Sequence, residues 1–364
     1  MSSIWGNRIK ISVFGESHSD AIGGVFDGIP SGIKLDLDEI NKEMKRRAPG
    51  NSSISTPRKE EDQVEILSGF FNGYTTGTPL SFIVRNHNKR SKDYDALKDL
   101  MRPGHGDYTG RVRYAGYNDY RGGGHFSGRI TAPLVFMGAI AQQYIKDKKH
   151  IEIVSRIKSI GPYTDAIIDM TKGWDAKMVT SLKSKRIPTI NSDVGLQMEK
   201  YIIDAKTQGD SVGGIIQCLC TNVPQGLGSP FFQSFESSLS QLLFSVPAVK
   251  GIEFGDGFGI TQLKGSQAND EMYYSNEKVQ CYTNHNGGIL GGITNGMPIV
   301  FNVAIKPTPS ISISQKTVNI KEKRDESLNI TGRHDPCILP RAVPVIESCA
   351  ALVIIDYLLQ MEGI

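Results

Sequence analysis

The sequence predicts an α+β protein built from two related halves, in which sheets pack against helices. Three observations lead to this prediction. Short apolar segments typical of strands are interspersed with longer segments that have helical periodicity. A set of glycine, proline and threonine positions recurs in the same order in both parts of the chain. The composition, with 39% hydrophobic and 22% charged residues, is ordinary for a globular protein.

The internal repeat is carried mostly by turn residues. Residues 69–82 read Gly-x-x-x-Gly-x-Thr-x-Gly-x-Pro-Leu-x-Phe, and residues 288–301 read Gly-x-x-x-Gly-x-Thr-x-Gly-x-Pro-Ile-x-Phe. Upstream, IPSGI at 29–33 is matched by VPQGL at 223–227. We interpret this order as a duplicated β/α unit whose halves share one core. The prediction is a single domain over residues 1–364, with related halves at about 1–150 and 190–364.

The elements of the first half follow from its apolar pattern. Alternating apolar residues at Ile9, Ile11 and Val13 predict a strand that runs into Gly-Glu-Ser-His. A helix is expected from a cap at Asp36 or Asp38 to Arg47. A long buried helix is expected over 131–146, capped by Thr131 and with Pro133 in its first turn. Further strands are predicted at 23–30, 64–71 and 78–84, and residues 86–101 are expected to be partly helical.

The second half continues in the same way. Strands are predicted at 151–160 and 212–220 and before Ile305, and helices at 193–205, at 230–244 and at the C-terminus. Residues 165–190 have no assignable pattern. The run 342–359 comes nearest to a membrane span, but Glu347 and Asp356 interrupt it. Five scattered cysteines and no signal peptide predict reduced thiols in the cytoplasm, and no spacing predicts a metal site.

Residues 102–129 are the segment that the rest of the chain is predicted to serve. They read RPGHGDYTGRVRYAGYNDYRGGGHFSGR and lead into the helix at 131. Arginines give paired donors to oxyanions, and glycines allow close approach of backbone N–H groups. A long loop with few aliphatic residues cannot be a core element, so we expect an anion-binding active-site loop. The alternative is an RNA-binding segment, although the net charge of +3 does not favour one.

Three segments contain the candidate chemistry: 15–18, 102–129 and 332–341. Together they contain His18, His105, His125, His334 and Asp335 beside several arginines. Histidine can give or take a proton near neutral pH, and a phosphate among arginines becomes a better leaving group when protonated. Neither a Walker A loop nor a kinase signature is present, so nucleotide phosphoryl transfer is not favoured. The residues alone leave a phosphate lyase or a phosphatase open.

Five motifs resemble those of the chorismate synthase family: GESH at 15–18, RPGHGDY at 102–108, DYRGGG at 119–124, NHNGGILGGI at 284–293 and GRHDPCILPRAVP at 332–344. The resemblance extends from about residue 4 to residue 360. It implies a β-α-β sandwich, usually a homotetramer, that eliminates phosphate from 5-enolpyruvylshikimate 3-phosphate in trans-1,4 fashion. The implied product is chorismate, and the implied cofactor is reduced FMN, with no net redox change.

The resemblance also implies residue roles. His18 is expected to protonate the departing phosphate, His105 to partner the anionic ring of the reduced flavin, and Asp335 to help a flavin nitrogen act as base. Substrate anions are expected on Arg47, Arg102, Arg129 and Arg341. The flavin contacts of the family map onto His125, Phe126, Ser127, Pro247, Ala248, Gly291, Lys306, Pro307, Thr308, Pro309, Ser310 and Arg333.

The sequence departs from the family at a few of these positions. Many members have glycine at Ser19, and arginine and serine at His125 and Phe126, so backbone contacts to the flavin are expected there. Ser53 stands where some members have an arginine assigned to NADPH binding. Reduced FMN is therefore expected from an external source. An FMN oxidoreductase acting on another substrate is a further alternative, which would consume NADPH stoichiometrically.

Overall fold

The structure is a computed structural model that describes residues 3–50, 54, 62–87, 98–330 and 334–363. Helices and strands alternate along the chain, which confirms the prediction of a mixed α+β protein. The helices are α1 Leu37–Arg47, α2 Asp107–Arg113, α3 Thr131–Lys149, α4 Ala176–Ser184, α5 Ser192–Thr207, α6 Phe235–Ser245, α7 Gly265–Ala268 and α8 Leu339–Glu362. The strands are β1 Ile4–Trp5, β2 Lys10–Gly15, β3 Ala21–Asp27, β4 Val64–Ser68, β5 Phe70–Phe71, β6 Tyr74–Thr75, β7 Leu80–Arg85, β8 Glu152–Ile160, β9 Tyr163–Thr164, β10 Gly214–Thr221, β11 Val249–Phe254, β12 Met272–Ser275, β13 Lys278–Cys281, β14 Ile289–Leu290, β15 Ile293–Thr294, β16 Ile299–Ile305, β17 Gln315–Asn319 and β18 Arg324–Leu328.

Two five-stranded antiparallel sheets form the framework. The first has the order β1-β2-β3-β7-β4, and the second has the order β11-β16-β10-β8-β9. Apart from the edge strands β1 and β9, the succession β2-β3-β7-β4 in one sheet corresponds to β8-β10-β16-β11 in the other. The small hairpins β5-β6 and β14-β15 also occupy the same place in each half.

The residues of the sequence repeat make the same contacts in both halves. Thr75 Oγ1 donates to Pro30 O at 2.7 Å and accepts from Ile33 N. Thr294 Oγ1 donates to Pro224 O at 2.6 Å and accepts from Leu227 N. In each half, one threonine therefore ties the small hairpin to the turn that follows a central strand.

A layer of helices lies between the two sheets. Helix α3 contacts β3 and β7 of the first sheet, α8 contacts β8 and β10 of the second, and α3 and α8 contact each other closely. A Cβ added to Gly138 of α3 would lie 2.1 Å from Ser348 Cβ of α8, so glycine is required at this crossing.

Helix α8 is long and apolar enough to span a membrane, but its most apolar stretch is wholly buried inside the protein.

Most local predictions are confirmed. Asp36 caps α1 through the N–H groups of Asp38 and Glu39. Thr131 does not cap α3: a turn of 3-10 helix leads directly into it, and the Thr131 hydroxyl donates instead to Gly128 O at 2.6 Å. Residues 165–190 contain α4, and most of 86–101 lies outside the described residues.

Candidate active site

His18 lies in the turn after β2 and is enclosed by the glycine-rich segment. Its side chain is buried, with Nδ1 3.0 Å from Ser17 Oγ. Ser17 also donates from its backbone N–H to Gly124 O and from its hydroxyl to Arg121 O. Gly122 has φ +60, and a Cβ there would lie 2.1 Å from His18 Cε1. The glycines thus allow the backbone to close directly over the imidazole.

The same turn is held from two other sides. His125 Nδ1 lies 2.8 Å from Gly15 O at the end of β2. Asn86 Nδ2, just after β7, donates to Glu16 O and Ser19 O at 3.1 and 3.0 Å. The position of the turn is therefore fixed by contacts between segments that are distant in sequence.

Arg47 and Arg129 share one buried carboxylate. Arg47 Nη1 donates to Asp62 Oδ2 at 2.5 Å, and Arg129 Nη1 donates to Asp62 Oδ1. Arg129 Nε also donates to Asn86 Oδ1 at 3.0 Å, which joins this group to the His18 turn. Burial alone would raise the pKa of Asp62, but the two guanidinium groups outweigh it and lower that pKa.

Arg341 links the same group to Asp335. Near the start of α8, Arg341 Nε donates to the backbone oxygen of Arg47 at 3.0 Å. Arg341 Nη1 donates to Asp335 Oδ2, and both side chains are largely buried. Hydrogen bonds therefore join the His18 turn, the three arginines and Asp335 in one network.

Arg102 and His105 belong to the RPGHGDY motif and have partners of their own. Arg102 makes a two-point ion pair with Asp107, with Nε and Nη2 at 2.7 and 2.8 Å from its carboxylate. His105 Nε2 is 2.8 Å from Ser310 Oγ. Arg102 and Asp107 also line a surface cleft.

The imidazoles of His105 and His334 both have lowered pKa values, which favours their neutral forms. Burial and the charge of Arg102 lower the pKa of His105 to about 4, with Lys306 and His334 adding to the shift and Asp107 opposing it. Burial and Arg102 also lower the pKa of His334. At neutral pH, His105 is therefore a neutral group with one N–H donor, and a nearby anion would raise its pKa.

The segment 306–310 lies beside His105. Lys306 Nζ donates to Gly104 O at 2.6 Å, and Lys306 N donates to Ala248 O at 3.0 Å. A Cβ added to Gly104 would lie 2.9 Å from Pro309 Cβ, so the loop approaches this segment closely. Ala248, Lys306, Pro309 and Ser310 thus lie close to Gly104 or His105 or to one another.

Other predicted flavin positions are less closely joined to this cluster. Phe126 is half exposed and packs toward Tyr114, while Ser127 Oγ accepts from Arg129 N. Gly291 lies in the turn between β14 and β15, where it has open space around it. Arg333 lies outside the described residues.

The structure adds residues that sequence reasoning missed. Asp62, Asn86 and Asp107 each bind a predicted anion-binding arginine. Asp107 stands inside the RPGHGDY motif, which could have suggested it, whereas no local pattern marks Asp62. The segment 102–129 is also not a simple loop, because it contains α2 and buries Arg102 and Arg129 in ion pairs.

Comparison with known proteins gives a consistent result. The family model described as "Chorismate synthase" matches residues 9–359. Proteins named chorismate synthase from Dehalococcoides mccartyi and Methanocaldococcus jannaschii are 44% and 43% identical, each over 99% of this chain and 97% of the relative. A solved structure titled "Crystal Structure of Chorismate Synthase" matches with a TM-score of 0.73 and 28% identity, covering 98% of this chain and 94% of that one. With family, relatives and fold in agreement over the full length, the chain belongs to the chorismate synthase family.

Proposed function

We propose that the protein converts 5-enolpyruvylshikimate 3-phosphate to chorismate by trans-1,4-elimination of phosphate. The observation that carries the proposal is the continuous network from the His18 turn through Asn86, Arg129, Asp62 and Arg47 to Arg341 and Asp335. It brings a candidate proton donor and several guanidinium groups together from distant segments. Family membership supports the same activity.

His18 is proposed to give a proton to the departing phosphate. An imidazole can give a proton near neutral pH, and the Nδ1 atom of His18 lies within hydrogen-bond distance of Ser17 Oγ, which orients the ring. A buried imidazole beside bound phosphate also meets the condition for a general acid, since the ligand's negative charge favours its protonated form.

The arginines are proposed to bind the phosphate and the two carboxylates of the substrate. Each of the four already has a carboxylate partner: Asp62 for Arg47 and Arg129, Asp107 for Arg102 and Asp335 for Arg341. These ion pairs fix the planar guanidinium groups in position before the ligand arrives. They also argue against the RNA-binding alternative, because Arg102 and Arg129 are not presented to a nucleic acid surface.

The residues around His105 fit a reduced FMN. Nine buried side-chain polar atoms of the described residues have no hydrogen-bond partner, and two of them, Thr308 Oγ1 and His334 Nε2, are in or beside the cluster that contains Lys306 and Ser310. Buried polar atoms without partners are uncommon in proteins, and a bound polar ligand would satisfy these two. Bound reduced FMN would supply an electron-rich ring for the elimination, without net redox change. Pro247, Ala248, Gly291 and Arg333 belong to the same proposed site, as do His125, Phe126 and Ser127.

Several broader features are also part of the proposal. The two halves, with their matching strand order and threonine contacts, are proposed to derive from one duplicated unit within a single domain. The protein is proposed to work in the cytoplasm as a homotetramer and to receive reduced FMN from an external source.

An anaerobic assay with chemically reduced FMN and the enolpyruvyl substrate tests the activity. We expect chorismate absorbance and phosphate release to rise together, with flavin remaining catalytic. His18→Ala should lower turnover by roughly 10²–10⁴-fold, the usual scale for a proton-transfer residue. Stoichiometric consumption of NADPH without phosphate release would instead indicate an FMN oxidoreductase.

A further inference from the structure

Asp62 occupies the place between two arginines that are proposed to bind the substrate. Its carboxylate is completely buried, and the Arg47 and Arg129 side chains are only 2% and 4% exposed. One oxygen of the carboxylate accepts from each arginine. The backbone of Asp62 has φ 49, a left-handed conformation that side chains other than glycine adopt at some cost. The arginine pair therefore already has a small anion between its two guanidinium groups.

The two arginines also make contacts that do not involve Asp62. Arg47 Nη2 donates to Gly128 O at 3.2 Å. Arg129 donates from Nε to Asn86 Oδ1 at 3.0 Å and from Nη2 to Arg85 O at 3.4 Å. These three acceptors are neutral, whereas Asp62 is a charged partner that the two arginines share, and a ligand anion can replace it with a group of the same chemistry.

Whether a ligand group can take the place of the Asp62 carboxylate depends on the charge of that group. A ligand carboxylate that takes the place of Asp62 exchanges one monoanion for another and gains little. A phosphate monoester carries close to two negative charges at neutral pH and three acceptor oxygens, so it gains attraction to both guanidinium groups. A hydroxyl group in the same position cannot compete at all.

We propose that Asp62 is a specificity-determining residue, which holds the place of the substrate phosphate between Arg47 and Arg129 and yields it only to a dianion. The inference rests on the proposed function, because it takes these two arginines as ligands of the phosphate. It also gives Asp62 a role after the reaction. Once the C–O bond has broken, the carboxylate competes with the free phosphate for the arginine pair and favours its release.

The test compares Asp62→Asn with a matched control. Asp165 is likewise a fully buried carboxylate paired with a buried arginine, Arg156, at 2.8 Å, but it follows β9 at the edge of the second sheet. Thermal unfolding is followed at 0–10 mM inorganic phosphate or acetate, a range in which general salt effects on stability are small. Steady-state turnover then gives KM for the substrate and the inhibition constant of inorganic phosphate.

The expected results distinguish a role of Asp62 in ligand specificity from a role in stabilising the fold. Wild-type protein should be stabilised by phosphate and not by acetate. Asp62→Asn should be stabilised by both anions, with a phosphate inhibition constant and a substrate KM about tenfold lower than in wild type. Asp165→Asn should lose stability and keep wild-type ligand behaviour. Equal responses of wild type and Asp62→Asn to the two anions would overturn the inference.

Two features keep the outcome decisive. If Asp62→Asn does not fold, the wild-type comparison of phosphate with acetate still tests the dianion requirement, and equal stabilisation by the two anions refutes it. Failure of the proposed function is distinguishable, because wild-type protein would then release no phosphate from the enolpyruvyl substrate. Normal wild-type turnover with unaltered KM in Asp62→Asn refutes the Asp62 role alone.

Discussion

The depressed pKa of His105 predicts a specific loss of stability in mild acid. In the folded protein this pKa is about 4, against an ordinary value of 6.5, chiefly because the imidazole is buried and next because it faces Arg102. A folded pKa below the unfolded one means that the unfolded chain binds the proton more tightly. The stability linked to His105 is therefore fully present above pH 6.5 and is lost as pH falls toward 4.

The size of this effect follows from the shift. About 2.5 pKa units correspond to roughly 3 kcal/mol when the transition is complete. Between pH 7 and pH 4.5 most of that difference is expressed, so His105 should account for about 2 kcal/mol of the fall in unfolding free energy. His105→Gln keeps a side chain that can bond to the Ser310 hydroxyl and has no titration in this range.

Urea unfolding of both proteins at a series of pH values measures this difference. The wild-type unfolding free energy should fall by about 2 kcal/mol more than that of His105→Gln between pH 7 and pH 4.5. His334 is present in both proteins, so the difference between them reports His105 together with its interaction with His334. His150→Asn is the control, because His150 is exposed at the left-handed end of α3 and asparagine tolerates that conformation. Parallel curves for wild type and His105→Gln would refute the reasoning.

Three further substitutions test the site and the core. Gly122→Ala should lower kcat about 10²-fold, since its Cβ would collide with His18 and displace the imidazole. Gly138→Ala should destabilise the fold by about 3 kcal/mol, because the new methyl group meets Ser348 across the α3–α8 crossing; chemical denaturation measures it. Thr308→Val should raise the unfolding free energy by about 1 kcal/mol without flavin and weaken binding of reduced FMN about tenfold, because it removes a buried hydroxyl that has no protein partner.

Neighbouring positions provide the controls for these predictions. Gly123 has φ +96, yet a Cβ there meets only Ser127 Cβ at 3.8 Å, so Gly123→Ala also strains a positive-φ backbone but makes no contact with His18. Equal kcat values for the alanine variants at 122 and 123 would attribute the effect to strain alone. Gly259→Ala, where a Cβ meets open space, is the control for Gly138. Unchanged flavin affinity in Thr308→Val would remove that hydroxyl from the proposed FMN site.

The sequence predicted those features that depend on neighbouring residues. Alternation at Ile9, Ile11 and Val13 marks β2, and the acidic residue before Leu37 marks the start of α1, since both signals lie within a few positions. The matching threonines at 75 and 294 could be aligned because each closes the same short turn. Strands, helix starts and turns of this kind can be predicted without knowledge of the fold.

The features that the sequence did not predict depend on contacts between distant segments. Asp62 meets Arg129 across 67 positions, and Arg341 meets the backbone of Arg47 across 294. No periodicity identifies such partners. The burial of Arg102 and Arg129 was also unforeseen, because arginines with few aliphatic neighbours in sequence indicate a surface loop until their carboxylate partners are known.

The arginines that are proposed to bind the trianionic substrate are largely balanced by carboxylates of the protein. Four arginines alone would form a strongly positive pocket, but the carboxylates of Asp62, Asp107 and Asp335 leave only one net positive charge among these seven groups. A substrate with a phosphate and two carboxylates therefore brings an excess of negative charge. Negative charge near an imidazole favours its protonated form, and under the proposed function His18 is the imidazole that gives its proton to the phosphate. Under the proposed function, the arrival of the substrate is thus coupled to the charging of the proposed acid.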